Sequence, residues 1–266
     1  MNNKSLVKEL ENRLKGISDT PYLDALFFCQ VCEEKKQLIT EAIIDDFILR
    51  IKQGEPVSKI VGRRGFWALD FKVSKDVLDP RPDSETIIET VLSHFKDKTA
   101  PLQILDIATG SGCLLISLLY EYKNATGMGL DISHEALKIA KENAGGYAAS
   151  FLQKDFFQPD FVNGLEQFDI IISNPPYIKT NDIPLLDKAV RLYDPILALD
   201  GGLDGLDAYR ALATKIKPLL KPNGKVFFEI GQGQAEDVKK IMIDAGFTFL
   251  EQWTDLGKVI RVLVFC

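Results

Sequence analysis

A polar and rigid tetrapeptide, Asn174-Pro175-Pro176-Tyr177, follows an apolar run and is the segment best suited to chemistry. Prolines hold φ fixed and donate no backbone hydrogen bond, so the Pro175 carbonyl would keep one direction. The Asn174 side-chain oxygen and this carbonyl could each accept one hydrogen of a planar NH2 group, and Tyr177 could pack against that group. The tetrapeptide therefore predicts a site for a planar amide or aromatic amine, with a simple Asn-Pro turn as the alternative.

A glycine-rich turn, Thr109-Gly110-Ser111-Gly112-Cys113, follows the apolar stretch QILDIA (103–108). Between a parallel strand and a helix, such a turn lets a ligand approach the backbone, with the helix N-terminus behind it. The dinucleotide-binding pattern GxGxxG is not met, because Leu115 stands at the third glycine position. The turn predicts either a nucleotide-type site or an ordinary tight connection.

Acidic residues follow two later strand-like stretches. Asp131 could accept both hydroxyls of a ribose, as strand-end acids do in nucleotide-binding folds, or could cap the helix that begins near His134. Further along, Asp155 and Phe156 could hold and cover a purine ring, or could be a loop acid beside core phenylalanines. Together these residues describe an adenosine-type ligand with a second reactant facing it.

The elements that must position these residues alternate between strand and helix from Leu102 onward. Short apolar strands between helices predict an α/β fold with a mostly parallel seven-stranded sheet covered on both faces. Only the short link Asp255-Leu256-Gly257-Lys258 joins the last two strands, so we expect an antiparallel hairpin at the sheet edge. The predicted strands are 103–108, 126–131, 149–154, 168–173, 225–230, 247–253 and 259–265. All the candidate residues then fall at carboxyl ends of strands, where open parallel sheets bind ligands.

The chain before this sheet has a different texture. Helical spacing of apolar residues predicts a small helical domain over 1–58, and alternation in GFWALDFKV predicts a β-hairpin linker over 59–82. The α/β domain would then occupy 83–266. Cys29 and Cys32 form a CxxC within an apolar helical run, without a second pair or a nearby His, so we predict buried cysteines and no metal site.

Composition restricts the classes of partner. The net charge is −6, whereas nucleic-acid-binding proteins usually show a basic footprint, so we expect no direct nucleic-acid contact. No apolar run reaches the roughly 20 residues that span a bilayer, and the N-terminus lacks signal-peptide features. We therefore expect a cytoplasmic protein without membrane contact. Nothing in the sequence indicates an obligate oligomer, so we expect a monomer.

The stretches DIATGSGC (106–113) and NPPY resemble class I S-adenosylmethionine-dependent methyltransferases that modify planar amino groups. That group includes DNA adenine-N6 enzymes, guanine-N2 RNA enzymes and protein-(glutamine-N5) methyltransferases of peptide chain release factors. Further stretches are similar to the last of these: GEPVSKIVGRRGFWALDFKV (54–73), LDPRPDSE (78–85), where that family has PRPETE, and LALDGGLDGLDAYR (197–210). In the PRPETE-like stretch, Ser84 keeps a hydroxyl group.

The resemblance implies a helical N-terminal domain that recognises the substrate and a Rossmann-like methyltransferase domain. The implied reaction transfers a methyl group from S-adenosylmethionine to the Gly-Gly-Gln glutamine of bacterial-type class I release factors, which act in translation termination. The products would be N5-methylglutamine and S-adenosylhomocysteine.

By position, the resemblance also implies roles for single residues. The methionine moiety would lie on Ala108, Thr109, Gly110, Ser111 and Gly112, the ribose on Asp131, and the adenine near Asp155 and Phe156. Asn174, Pro175, Pro176 and Tyr177 would bind the glutamine amide; Asn174, Pro175 and Tyr177 would be catalytic, Asn174 would also touch the cofactor, and Arg81 would lie near it. Ala108 stands where the family usually has glycine, which matters if φ is positive there.

Three alternatives compete with this interpretation. A nucleic-acid amino methyltransferase would use the same NPPY chemistry, but the acidic pI of about 5.1 opposes it and such an enzyme must also flip out its target base. An NAD-linked oxidoreductase conflicts with the missing third glycine. A non-catalytic binding module would not require the intact NPPY acceptors.

Overall fold

The structure, a computed structural model, describes residues 3–266. It divides into two compact units: one comprises the described residues up to Arg63 with Asp187–Tyr193, and the other Arg64–Leu186 with Asp194–Cys266. The helices are α1 (Asn3–Leu14), α2 (Pro21–Glu34), α3 (Glu41–Lys52), α4 (Val57–Val61), α5 (Glu85–His94), α6 (Cys113–Glu121), α7 (His134–Ala144), α8 (Lys188–Tyr193), α9 (Asp207–Ala213) and α10 (Ala235–Asp244). The strands are β1 (Arg63–Phe66), β2 (Leu69–Lys72), β3 (Gln103–Ile107), β4 (Thr126–Asp131), β5 (Ala149–Gln153), β6 (Phe168–Ser173), β7 (Leu220–Glu229), β8 (Phe249–Thr254) and β9 (Ile260–Phe265).

The smaller unit is helical and has its own core. Leu10 and Leu14 of α1 are fully buried, and the rings of Phe28 on α2 and Phe47 on α3 stack with centroids 4.1 Å apart. Cys29 belongs to this core, and its burial raises the pKa of the thiol to about 11. Cys32 is buried on the same helix, so the prediction of buried helix cysteines is confirmed.

The larger unit contains the predicted seven-stranded sheet, in the order β5-β4-β3-β6-β7-β9-β8. The first five strands in this order, from β5 through β4, β3 and β6 to β7, pair in parallel. Strand β9 pairs antiparallel with both β7 and β8, which confirms the edge hairpin. Strand β8 begins at Phe249, two residues later than 247, because Gly246 turns the chain with a φ of 87° and Phe247 packs into the core.

Alternate side chains of each strand point to opposite faces of the sheet. Each set packs into its own hydrophobic core, so both faces are buried. On β6, Ile171 joins a core with Tyr209 of α9 and Val238 of α10, whereas Ile170 joins the opposite core with Leu115 of α6. The chain leaves β3 toward β4 on one side and returns to β6 on the other. The carboxyl ends of β3, β4 and β6 therefore meet at the point where the strand order reverses, a common ligand position in such sheets.

No helix within residues 3–266 combines the length and the apolar character needed to cross a bilayer.

Candidate active site

A cavity of about 470 Å³ lies at the carboxyl ends of β3, β4 and β6, within the larger unit. It collects residues from distant parts of the chain, because the parallel strands bring their ends to one edge. The residues predicted from sequence that line it are Ala108, Gly110, Asp131, Asp155, Phe156, Asn174 and Pro176. Thr109, Ser111, Gly112, Pro175, Tyr177 and Arg81 do not line the cavity.

The turn after β3 curls tightly through left-handed backbone conformations. Ala108 has a φ of 59°, Gly110 of 55° and Gly112 of 79°. The Thr109 hydroxyl anchors the turn by donating to Oδ2 of buried Asp106 at 2.6 Å. A side chain added at Gly110 would meet no atom within 4 Å, so the backbone there is open to a ligand in the cavity.

Asp131, at the end of β4, is oriented by two backbone amides. The N–H of Gly110 donates to its Oδ2 at 2.9 Å, and the N–H of Ser133 donates to its Oδ1 at 2.9 Å. The hydroxyl of Ser133 accepts from the Ala136 N–H and caps α7, so Asp131 is not needed as the cap. Each carboxylate oxygen keeps an acceptor site, and Asp131 can therefore accept the hydroxyls of a ribose.

Asp155 and Phe156 form another part of the cavity wall. Oδ1 of Asp155 accepts from the Phe157 N–H at 2.8 Å, which sets the turn after β5. The Phe156 ring is buried in the core and also faces the cavity, and the exposed ring of Phe157 lies beside it with centroids 4.6 Å apart. This combination of an acid and flat apolar rings suits a purine.

The nitrogen of the Asn174 side-chain amide is hydrogen-bonded, whereas its oxygen is not. Its Nδ2 donates to the hydroxyl of Ser84 at 3.1 Å. Within residues 3–266, neither Asn174 Oδ1 nor the Pro175 carbonyl accepts a hydrogen bond from another group. Neither of the two predicted acceptors is therefore engaged, and Asn174 faces the cavity, whereas Pro175 is buried and does not line it.

Tyr177 is held by hydrogen bonds with Glu229 and Gln234. Its hydroxyl lies 3.3 Å from Oε1 of Glu229, to which it donates, and burial with the nearby Glu229 charge raises the pKa of Tyr177 well above its usual value. The Gln234 amide donates to the carbonyls of Tyr177 at 3.0 Å and Gly205 at 3.1 Å. Through these two hydrogen bonds, the Gly231-Gln232-Gly233-Gln234 turn holds Tyr177 of the NPPY segment in place.

Most of the segment from Pro195 to Gly202 also lines the cavity, and it was not predicted as part of the site. A short parallel bridge between Ile178, which follows the NPPY segment, and Asp200 joins the two stretches. Asp76 and Val77 also line the cavity, and their sequence carries no recognisable site signal. Ser84 and Glu229 were missed as well, although an acid inside the apolar strand KVFFEI is a usable signal.

Arg81 forms an ion pair with the Asp194 carboxylate, Nη2 to Oδ2 at 2.6 Å. Oδ1 of the same carboxylate accepts from the Asp79 N–H at 3.1 Å. This pair ties the PRPDSE stretch to the chain that enters the cavity wall at Pro195.

The charges around the cavity are mainly negative. The carboxylates that line it belong to Asp76, Asp131, Asp155, Asp200 and Asp207, and the cation is Lys154. Such a lining favours a ligand with positive groups and opposes one that carries several phosphates.

Comparison with known proteins gives the family. A family model described as a methyltransferase domain matches residues 98–245. A release factor glutamine methyltransferase from Caulobacter vibrioides is 38% identical over 269 residues, which cover 96% of this chain and 92% of that protein. One from Agrobacterium fabrum is 42% identical over 231 residues, 84% of this chain and 78% of that protein.

Solved structures agree on the fold. A methyltransferase from Pyrococcus furiosus superposes with a TM-score of 0.53 at 17% identity and covers 83% of this chain and 96% of its own. A ribosomal protein L11 methylase from Lactobacillus delbrueckii subsp. bulgaricus gives a TM-score of 0.52 at 18% identity, with 73% and 82% coverage. With a methyltransferase sheet, a cavity at its switch point and sequence identity along nearly the whole chain, this protein belongs to the family of release factor glutamine methyltransferases.

Proposed function

We propose that this protein transfers a methyl group from S-adenosylmethionine to the side-chain nitrogen N5 of the glutamine in the Gly-Gly-Gln motif of class I peptide chain release factors. The products are N5-methylglutamine and S-adenosylhomocysteine. The observation that carries the proposal is the free acceptor Asn174 Oδ1 at the cavity, followed directly in the chain by the Pro175 carbonyl, which accepts no hydrogen bond within residues 3–266. Two acceptors match the two hydrogens of a primary amide.

The residues present fit the cofactor. The carboxylate of Asp131 would hold the ribose hydroxyls, the open backbone at Gly110 would receive the methionine part, and Asp155 with Phe156 would receive the adenine. The acidic lining also favours the positive sulfonium and ammonium groups of this molecule. When bound, S-adenosylmethionine supplies the methyl group as an electrophile, and the glutamine nitrogen takes it with loss of one N–H proton.

The contribution of the chain to this reaction is orientation. By accepting both N–H groups, Asn174 and Pro175 would fix the nitrogen and increase its electron density, and proximity lowers the barrier further. Tyr177 would pack against the flat amide, with its hydroxyl bonded to Glu229. A strong general base is not needed if the proton leaves after the methyl group has arrived.

A nucleic-acid substrate is the second candidate, because the same acceptors suit an adenine or guanine amino group. The carboxylates around the cavity oppose it, since they repel the phosphates that provide most nucleic-acid affinity. We propose the release factor as the protein partner, with the helical unit up to Arg63 contributing to its recognition, and a monomeric enzyme acting in the cytoplasm, where translation takes place.

The experiment uses S-adenosylmethionine with a labelled methyl group, a release factor, and the same factor with its Gly-Gly-Gln glutamine changed to alanine. We expect label in the unchanged factor alone. Equal labelling of both factors would overturn the glutamine assignment, and label in added DNA or RNA would favour the second candidate.

A further inference from the structure

The carboxyl group of Glu229 at the end of β7 is a costly feature that the reaction described above does not use. Glu229 is 1% exposed, and a buried carboxylate is tolerated only with hydrogen-bond or charge partners. Oε1 accepts from the Tyr177 hydroxyl at 3.3 Å, and Oε2 has no hydrogen bond of normal geometry within residues 3–266. The Ser84 hydroxyl lowers the pKa of this carboxyl against the effect of burial, so it lies near the carboxyl, although it makes no hydrogen bond of normal geometry to it within residues 3–266.

Ser84 connects this carboxylate to Asn174. It ends the 3-10 turn Pro82–Ser84 that precedes α5 and is almost fully buried. Its oxygen accepts from Asn174 Nδ2, and a hydroxyl has one hydrogen, which is then available to the Glu229 carboxylate. An ionised carboxylate can only accept, so a hydrogen bond from Ser84 to Glu229 would leave the Ser84 oxygen to accept from Asn174.

This direction matters because the two ends of an asparagine amide have nearly the same shape, and neighbouring partners decide which end points where. With its nitrogen committed to Ser84, Asn174 can present only its oxygen to the cavity. If the Ser84 hydrogen pointed at Asn174 instead, the amide would turn over and present a donor to the incoming NH2 group.

We propose that Ser84 and Glu229 are positioning residues that hold the Asn174 amide with its oxygen toward the methyl acceptor. The inference rests on the proposed function, because it assumes that Asn174 accepts from the substrate amide. It adds two residues that act through Asn174 and do not touch the substrate.

The titration of Glu229 makes the positioning of the Asn174 amide depend on pH. Burial raises the pKa of Glu229 to about 7, whereas Ser84, the charge of Arg261 and the Tyr177 hydroxyl oppose the rise, and the charge of Asp83 adds to it. Below this pH the carboxyl is protonated and can donate to Ser84, which frees the Ser84 hydrogen to turn toward Asn174. Turnover should therefore fall as the pH decreases through about 7.

The first test compares Ser84→Ala, Ser84→Thr and the control Ser117→Ala in the full-length enzyme with a release factor. Ser117 is a fully buried serine on α6 whose hydroxyl has no partner within residues 3–266. A misdirected amide can lower kcat by up to about 100-fold, so we expect a loss of that order for Ser84→Ala. Ser84→Thr keeps the hydroxyl and should restore most of kcat, and Ser117→Ala should match wild type. The dissociation constant for S-adenosylmethionine should stay unchanged in all three.

The second test measures kcat from pH 6 to pH 8.5 for wild type and Glu229→Gln. The wild type should lose activity below about pH 7, and Glu229→Gln should be slower but without that loss. Wild-type transfer together with full activity of Ser84→Ala, or an unchanged pH profile in Glu229→Gln, would overturn the inference alone. Absence of transfer by the wild type would overturn the proposed function and this inference with it.

Discussion

Asn174 combines two tasks in one amide: its nitrogen bonds to Ser84, and its oxygen remains available at the cavity. Pro175 would supply the second acceptor from a backbone whose φ is fixed by the proline ring. At the scale of single residues, the chemistry of the site thus depends on the direction of its hydrogen-bond acceptors. A substitution that keeps the shape of the side chain but changes this direction would lower activity as much as a large substitution.

Asn174→Ala removes one of the two acceptors and leaves the glycine-rich turn and Asp131 in place. Loss of one well-placed hydrogen-bonding group of this kind typically lowers kcat about 100- to 1000-fold. We expect that loss in single-turnover methyl transfer, with a much smaller change in S-adenosylmethionine affinity measured by calorimetry. Normal methylation by this variant would show that the two-acceptor arrangement is not used.

Ala108, which stands where the family usually has glycine, has a left-handed backbone with a φ of 59°. A left-handed conformation costs a non-glycine residue about 1–2 kcal/mol, and glycine loses about 0.4–1 kcal/mol through the unfolded state. Ala108→Gly should therefore raise the free energy of unfolding by about 0.5 kcal/mol, measured by urea denaturation. Ala108→Val, with a β-branched side chain, should lower it by about 2 kcal/mol. Equal stability of the Val variant and wild type would contradict a left-handed conformation at this position.

The elements around the site are joined by close backbone packing as much as by side chains. The segment from Gly201 to Gly205 lies directly against the NPPY segment: the N–H of Gly201 donates to the Ile178 carbonyl at 2.8 Å. A Cβ at Gly205 would lie 2.4 Å from the Tyr177 carbonyl oxygen and 2.7 Å from Gln234 Nε2. The glycines of LALDGGLDGLDAYR therefore keep the loop close enough to fix Tyr177.

Gly205→Ala tests this packing against Gly164→Ala, since both glycines have a φ of 78°. Both variants carry the same conformational strain of about 1 kcal/mol, but a Cβ at Gly164 meets nothing within 4 Å. Gly205→Ala should lose more stability than Gly164→Ala and also most of its turnover, because Tyr177 and Gln234 must move. Identical urea midpoints and activities in the two variants would show that the close approach is unimportant.

The whole molecule is destabilised at neutral pH by buried acids near the sheet edge. Burial raises the pKa of both Asp106 and Glu229 to about 7. For such groups the folded state binds more protons than the unfolded state between the unfolded value, near 4.5 for Glu229, and about 7. Their contribution to stability is therefore lost as the pH rises through this window and stays lost above it. Proteins commonly retain such a cost at functional sites.

Glu229→Gln should consequently stabilise the larger unit at pH 8. A pKa raised from 4.5 to about 7 corresponds to roughly 3 kcal/mol, and the cost of burying the N–H donors of the new amide reduces this, so we expect a gain of about 2 kcal/mol. The gain should disappear at pH 4, where the glutamate is largely protonated in both states. Urea denaturation at the two pH values measures it, with Ser117→Ala as the control. A variant that is less stable than wild type at pH 8 would show that the carboxylate is a net stabiliser.

Local sequence patterns were sufficient for the sheet and for the edge where the site lies. Strand and helix periods depend on near neighbours in the chain, and the alternation of strands with helices implies a parallel sheet, whose carboxyl ends must share one edge. The chemistry of the NPPY segment was readable for the same reason, because the fixed φ of proline and the donors of an amide are properties of the residues themselves.

Tertiary structure alone decided the contacts between residues far apart in the chain. Arg81 is paired with Asp194, 113 positions later, and the direction of the Asn174 amide depends on Ser84, 90 positions earlier. The positive φ of Ala108 and the burial of Glu229 likewise follow from how the strands and loops pack. The amino-acid sequence by itself determined which groups could act and at which edge, since those depend on residue type and local period. Their orientation and protonation were decided by the packed fold, because hydrogen-bond direction and burial exist only once distant elements meet.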